Sequence, residues 1–404
     1  MDQPTVNTPR LRLVDAKPIP YEGATYIMLR DPLELTAKTL LVPQPMIPAL
    51  VLCDGNHTPA SIRSIMAAQY GLNVSVQHLD EFLAALDDAL LLENDRSRHA
   101  RTVALAQYRQ QPFRTPANAG LSYPDDADAL HQLLQDSINH LNGQSQPLHT
   151  PIRGIVSPHI DYERGSMVYA QVWNRAAESV REAELAIIFG TDHFSEGFPF
   201  SLTRQNYATP FGVLPTDIKI VDQLANALGS EKAFAGELHH RSEHSIELAA
   251  VWMHHMRGGA PISVVPILTG SLDHAEETLG KGTLESFLDI LQRKIRGRRT
   301  IVVAAGDLSH VGPAFDGDPV DEKHLSQIRQ DDEILMDAML NGSAEDFQTA
   351  IQLNHDRNNV CGISPIYLTL KLLSPLHGQK QGYAVCPADT AQTSVVTICG
   401  VTLH

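Results

Sequence analysis

Short apolar runs alternate with amphipathic stretches along most of the chain, and the spacing of the apolar positions predicts two kinds of module. In the first hundred residues Ala24–Arg30 and Lys38–Val42 read as strands, and Met46–Leu52 reads as a short helix because Pro48 is tolerated in a first turn. Cys53-Asp54-Gly55-Asn56-His57 is a turn. Thr58 is a helix N-cap residue and Pro59 suits the first helical position, so a helix is predicted over Pro59–Tyr70, closed by Gly71. Leu79, Phe82, Leu83, Leu86 and Leu90 fall on one helical face. These elements predict a small winged-helix-like α+β domain over residues 1–95.

Residues 96–112 are expected to link the two modules, with Arg96–Gln110 continuing as an exposed helix. Phe113–Asp126 is rich in Pro and Asp and loop-like. Leu130, Leu133, Leu134, Ile138 and Leu141 predict a helix over Ala127–Leu141, followed by a polar linker over Asn142–Pro151. Beyond it, Arg153–Val156, Leu185–Phe189, Ile262–Leu268 and Thr300–Ala305 are short, apolar and rich in Val or Ile, as buried parallel strands are. Helical patterns over Gly165–Glu182, Asp217–Leu228, His244–Met256 and Leu272–Arg296 separate them. Gly382–Cys386 and Thr393–Val401 read as closing strands. The order predicts an α/β domain over 113–404, with a central, mostly parallel sheet flanked by helices.

The length of 404 residues exceeds one ordinary core and supports two domains. A net charge of −16 makes the chain a poor general binder of nucleic acid, whose phosphates need clustered Lys and Arg. Arg63 is the single cation of the Pro59–Tyr70 helix, which argues against a DNA-reading role for the first module. The four cysteines (Cys53, Cys361, Cys386 and Cys399) are far apart and form no CxxC, so neither a disulfide framework nor a cysteine-rich zinc site is expected. No apolar run reaches the length of a membrane span, and Met1–Arg12 lacks the apolar stretch expected of a signal peptide. A cytoplasmic location is expected.

The 19 histidines change the picture, because several follow predicted strands at once. His159 follows the first strand of the larger domain, Asp192 and His193 the second, and Asp307 and His310 the fourth. Ligands of open α/β sheets bind beyond the carboxyl ends of the strands, so these loops converge on one edge. Neutral imidazole is a common ligand for Zn, Fe and Cu, and two His with one anionic group leave open positions on an ion. Asp192, Asp307, Glu243 and Cys361 are candidates for the anion. Cys361 precedes a predicted helix that starts near Pro365, where the backbone dipole favours thiolate. Ser242 is read as the N-cap of the helix that follows, with His244 at its N-terminus as a proton relay. The pairs His239-His240 and His254-His255 read as surface or structural. No dinucleotide fingerprint, Walker A loop, nucleophile elbow or HExxH is present.

Two resemblances add to this. The pattern "DP…LLVP…LCDGNHTPASI…YG…FLAALDDALLLEN" over Pro18–Asn94 resembles the PqqD-like modules, small winged-helix domains that recognise peptides. The ordered motifs "SPHIDY", "GTDHF", "SEHSIELAAVW", "VPILTG", "AAGDLSHVG" and "NNVCGISPIYLTL" resemble the Memo family, also called AmmeMemoRadiSam system protein B, from about Gly120 to the C-terminus. That resemblance implies a fold similar to class III extradiol dioxygenases and one Fe(II) or Cu site held by His159, His193 and Cys361. It places His244 and His310 in the same pocket as acid/base groups, with Asp307 orienting His310. Asp161 and Asp192 depart from the small residues common beside the family's histidines and add carboxylate near the site, as does Glu243.

The function expected is a non-haem, Fe- or Cu-dependent oxidoreductase of dioxygenase-like type, acting on an unknown small-molecule or peptide-linked substrate. One alternative is a metal-binding adaptor that recruits a peptide or a radical-enzyme partner. Another is a metal-dependent hydrolase in which Asp192 or Asp307 completes the site. Neither nucleic acid nor membrane is expected as a partner.

Overall fold

The computed structural model describes residues 8–21, 23–141, 151–195 and 197–404. All of the expected polar linker except Pro151 lies outside the described residues. The chain divides into two compact units, Met1–Gln110 and Gln111–His404.

In the first unit β1 (Asp15–Tyr21), β2 (Ala24–Arg30) and β3 (Leu40–Pro43) form an antiparallel sheet in that order. Four helices follow: α1 (Ile47–Val51), α2 (Pro59–Tyr70), α3 (Val76–Asp88) and α4 (Asp95–Gln110). The α2 boundaries match expectation, because the Thr58 hydroxyl accepts from the Ser61 backbone N–H and Gly71 takes a left-handed φ of 68°. Leu79 and Leu86 of α3 pack with Leu29, Val42, Ile62 and Met66 in the core. Leu90 lies beyond α3 at a φ of 57°, and its neighbour Leu91 is buried instead. The Arg12 guanidinium pairs with the buried Asp31 carboxylate, which also accepts from the Leu33 and Leu35 backbone N–H groups. Helix α4, expected as part of a linker, belongs to this unit.

The second unit opens with α5 (Ala127–Asn139), β4 (Gly154–Ser157), α6 (Tyr162–Glu182) and β5 (Leu185–Thr191). Short strands β6 (Phe200–Leu202), β7 (Tyr207–Thr209) and β8 (Gly212–Leu214) come next, then α7 (Ile218–Leu228), α8 (Ser230–Ala233), α9 (Ser245–Met256) and β9 (Ser263–Thr269). Helices α10 (Ala275–Leu279) and α11 (Thr283–Ile295) precede β10 (Thr300–Ala305) and β11 (His310–Val311). Helices α12 (Glu322–Leu340), α13 (Ala344–Asn354) and α14 (Ile363–Leu373) lead to the antiparallel pair β12 (Gly378–Pro387) and β13 (Val395–Leu403). The helix expected over Leu272–Arg296 is two helices, because Gly280 and Gly282 adopt φ of 96° and 77° between them.

One eight-stranded sheet runs β11-β13-β4-β10-β5-β9-β6, with β12 on β13. Its centre, β4-β10-β5-β9, is parallel, as the Val- and Ile-rich runs predict. Both faces of these strands are covered. Ile155, Ile188 and Val303 pack on one face with residues of α5, α6 and α9, while Val156, Ile187 and Val302 pack on the other with residues of α7, α11 and α14. The carboxyl ends of β4, β10 and β5 are therefore adjacent, and the loops that leave them are neighbours. No helix among the described residues is long and apolar enough to cross a membrane.

Candidate metal centre

His159 leaves the end of β4 and is buried, at 2% exposure. Its Nδ1 lies 3.1 Å from the Ala305 carbonyl at the end of β10, a bond that places a proton on Nδ1 and leaves the lone pair on Nε2. The backbone N–H of His159 donates to the Asp307 carboxylate at 2.8 Å. His193 leaves β5, and its Nδ1 lies 3.0 Å from the buried Glu243 carboxylate, which turns its Nε2 toward the Cys361 side of the group. Cys361 Sγ lies 3.2 Å from His159 Nε2. The Cys361 loop is tied to the same strand ends, because the Thr191 hydroxyl donates to the Cys361 carbonyl and the Gly362 N–H donates to the Asp307 carbonyl.

One donor atom each from His159, His193 and Cys361 lies within 4.8 Å of the other two. Donor atoms on a tetrahedral ion sit about 3.3–3.8 Å apart for the bond lengths of imidazole and thiolate ligands. The three side chains thus fit one ion with little movement. Two imidazoles and a thiol suit Zn, Cu or Fe rather than Mg or Ca.

The remaining side chains of the site sort by what they touch. The His244 ring stacks on His193 at 4.9 Å between centroids and 11° between planes, and stands edge-on to His159 at 5.1 Å. Its Nδ1 lies 3.1 Å from Glu243. His193, Glu243 and His244 also meet the distance condition for an ion, but both Nδ1 atoms face the carboxylate, and the group is closed as a hydrogen-bonded cluster. Asp307 Oδ2 comes within 3.8 Å of His159 Nε2. Asp307 does not orient His310, as the family resemblance implied; it holds the His159 backbone. The Nδ1 of His310 instead meets the Leu308 carbonyl at 3.1 Å. Asp192 turns away from the group and is held by His239 Nδ1 at 2.9 Å and by the Ser201 hydroxyl at 3.1 Å. Asp161 caps α6 and pairs with Arg164. Neither Asp192 nor Asp161 joins an ion-binding group among the described residues.

Burial and charge tune these groups unequally. Burial, helped by the neighbouring imidazoles His193 and His244, holds His159 well below the usual histidine range. Burial pulls His193 the same way, but the Glu243 charge and the Cys361 thiol override it and hold it well above that range. Burial likewise works against the Glu243 charge, yet His193 and His244 keep this carboxyl well below the usual range. Asp307 is pushed up to about 6 by burial and His310 down to about 4 by the same cause. Burial raises the Cys361 thiol and the His193 contact opposes it. The thiolate expected from the helix start is therefore not favoured by its surroundings without a cation. Pro365 is the third residue of α14 rather than the first.

Three features refine or depart from the sequence expectations. Ser242 is not the cap of α9: the Glu243 carboxylate accepts from the backbone N–H of His244 at 2.8 Å and of Ser245 at 3.0 Å. The His239-His240 and His254-His255 pairs are structural rather than on the surface, since all four are buried. The loop 113–123 is clamped to α9 by a wholly buried Arg114–Glu247 ion pair, and Glu247 also accepts from Tyr123 Oη and the Ala117 and Asn118 N–H groups. Glu243, next to His244 in sequence, was the one local signal for this cluster; Arg114 carried none.

A cavity of about 500 Å³ lies near the amino ends of β4 and β10, lined in part by Arg153, Arg298 and Arg299. Those guanidiniums are committed, to the Pro375 carbonyl, to Asp217 and the Glu184 carbonyl, and to Glu184 and the Glu182 carbonyl. The ligand group at the opposite edge is the better candidate on chemistry.

The chain is similar to known proteins over most of its length. A "MEMO1 family protein" of Aquifex aeolicus (strain VF5) is 23% identical over 379 residues, 93% of each chain, so its likeness extends over both units. One of Methanosarcina mazei is 27% identical over 269 residues, 66% of this chain and 89% of its own. One of Methanocaldococcus jannaschii is 26% identical over 277 residues, again 66% and 89%. The description "Memo-like protein" matches residues 114–401, the span that carries every side chain of the ligand group. The chain belongs to the Memo family.

Proposed function

We propose that this protein is a metal-dependent oxidoreductase of dioxygenase-like type, with one iron or copper ion held by His159, His193 and Cys361. The observation that carries this reading is the pair of imidazoles whose Nδ1 atoms are committed, to Ala305 and to Glu243, beside a thiol 3.2 Å from His159 Nε2. An iron or copper ion bound there supplies open positions for substrate and dioxygen. The chain's own residues do the rest. The Ala305 carbonyl and Asp307 fix the ring and the backbone of His159. Glu243 fixes His193. His244, stacked on His193 with its Nδ1 occupied, takes or returns a proton at Nε2. His310 stands near the same edge as a second neutral imidazole.

The hydrolase alternative loses a carboxylate, since Asp192 is held by His239 and Ser201. The likeness of the Aquifex protein over both units supports a shared role for the first one, which we assign to recognition of a peptide or of a peptide-linked substrate or partner. The test is anaerobic purification, metal analysis and oxygen consumption with catechols or peptide-linked phenols. One equivalent of iron or copper with substrate-dependent oxygen uptake is expected. Protein that binds no metal sinks the reading, and metal bound without oxygen uptake leaves the adaptor.

A further inference from the structure

We propose that Glu243 is a positioning residue that fixes the tautomers of His193 and His244 together, keeping Nδ1 protonated on both rings and Nε2 of both open on the side away from the carboxylate. The proposal rests on the proposed metal centre only for what Nε2 of His193 is used for. The tautomer claim stands on geometry alone.

Glu243 sits at 1% exposure, immediately before the N-terminus of α9. One oxygen, Oε2, faces His193 alone: its backbone N–H at 3.2 Å and its Nδ1 at 3.0 Å. The other, Oε1, faces the His244 and Ser245 N–H groups at 2.8 and 3.0 Å and His244 Nδ1 at 3.1 Å. An ionised carboxylate only accepts, so every partner must donate. Each Nδ1 therefore carries its hydrogen, and the lone pair of each neutral ring is on Nε2. The 11° angle between the two rings makes the outcome common to both: two parallel imidazoles, anchored at the same end, present the same nitrogen in the same sense. One ring then serves the ion and the other stands beside it as a proton acceptor.

The arrangement makes a sharp statement about Glu243→Gln. An amide must place its NH₂ at one of the two oxygen positions. At Oε1 it would oppose two backbone N–H groups, and at Oε2 only one, so the NH₂ takes the His193 side. There it donates to His193 Nδ1, which moves that ring's hydrogen to Nε2 and blocks the metal-facing atom. His244 keeps its acceptor at the other oxygen and does not change.

The decisive measurement is ¹⁵N NMR of the full metal-free chain, labelled at histidine, followed through an alkaline pH series until the ring signals reach their neutral-form limit. The wild type is expected to show Nδ1 protonated on both His193 and His244. Glu243→Gln is expected to show His193 switched and His244 unchanged, with Zn(II) affinity by calorimetry down about 10–100-fold. A bare Nδ1 on either ring of the wild type overturns the proposal, as does a Gln variant that binds Zn(II) like the wild type. If the variant fails to fold, the wild-type spectrum alone decides. If the wild type binds no Zn(II), the metal centre fails and the spectrum still tests the role of Glu243.

Discussion

Gly306 and Gly362 touch backbone to backbone: a Cβ placed on Gly306 would stand 2.6 Å from the Gly362 Cα, and one on Gly362 would stand 2.6 Å from the Asp307 carbonyl oxygen. This contact seats the Cys361 loop against the end of β10, within reach of His159. A methyl group at either position must push the loop outward. Gly362→Ala is expected to cost about 1–3 kcal/mol in urea denaturation, as overpacking does. It should also weaken zinc binding, because Sγ moves away from the two imidazoles. Wild-type values in both measurements would mean that the loop has slack and that the glycine contact does not place the thiol.

Removing a proposed ligand tests the set directly. Cys361→Ser and His159→Ala are each expected to lower affinity for a soft ion such as Cu(I) by at least ~100-fold, beyond the effect of losing an outer hydrogen-bond partner. Competition with a chelator of known affinity reads this. A Cys361→Ser protein that holds Cu(I) as the wild type does would take sulfur out of the set.

The Arg114–Glu247 pair has no exposed side-chain surface on either partner. Arg114→Met leaves the Glu247 carboxylate buried without its cation, and a loss of about 3–5 kcal/mol is expected. Tyr123 Oη and the Ala117 and Asn118 N–H groups still donate to it, which favours the lower end of that range. The check is chemical denaturation followed by far-UV circular dichroism, and a change below ~1 kcal/mol would contradict the account.

Acid should destabilise the metal-free protein in a definite window. Burial holds His240 and His255 at about 4, below the ordinary histidine value of 6.5, and both are uncharged in the fold at neutral pH. The unfolded chain takes up their protons first as pH falls, so their contribution is complete above pH 6.5 and is lost between 6.5 and about 4. His310 adds in the same direction. Asp307, raised to about 6, works against them, since the folded state binds its proton first. These three imidazoles, with His159 held low beside them, outweigh the Asp307 carboxyl and the raised His193, and stability measured from pH 7 to pH 4.5 is expected to decline. His240 alone contributes on the order of 3 kcal/mol, because its ring is fully buried. A flat profile would show that these rings are wetter than the structure has them.

The legible parts of the fold were those whose signals are local. Thr58, Pro59 and Gly71 bound α2 to the residue, and the Val- and Ile-rich runs marked β4, β5, β9 and β10 because strands buried on both faces need no alternation. Strand β1 was not foreseen: Pro18 and Pro20 interrupt it, and it tolerates them as the edge of its sheet. Strands β6, β7 and β8 are three residues each, too short for a pattern. At the site, His159 and His193 were marked by their places after strands, and Cys361 was one of four candidate anions until the family motif singled it out. What could not be read was direction. Asp192 and Glu243 each adjoin a histidine in sequence, yet Asp192 turns to His239 and Glu243 to the ligand group, a choice made by helices and loops far along the chain.

His159 and Cys361 meet across 202 positions of sequence. During synthesis the two imidazoles leave the ribosome long before the sulfur does, and the sheet that aligns them closes with β13 later still. On the proposed ligand set, an ion can find all three of its donors only after near-complete folding.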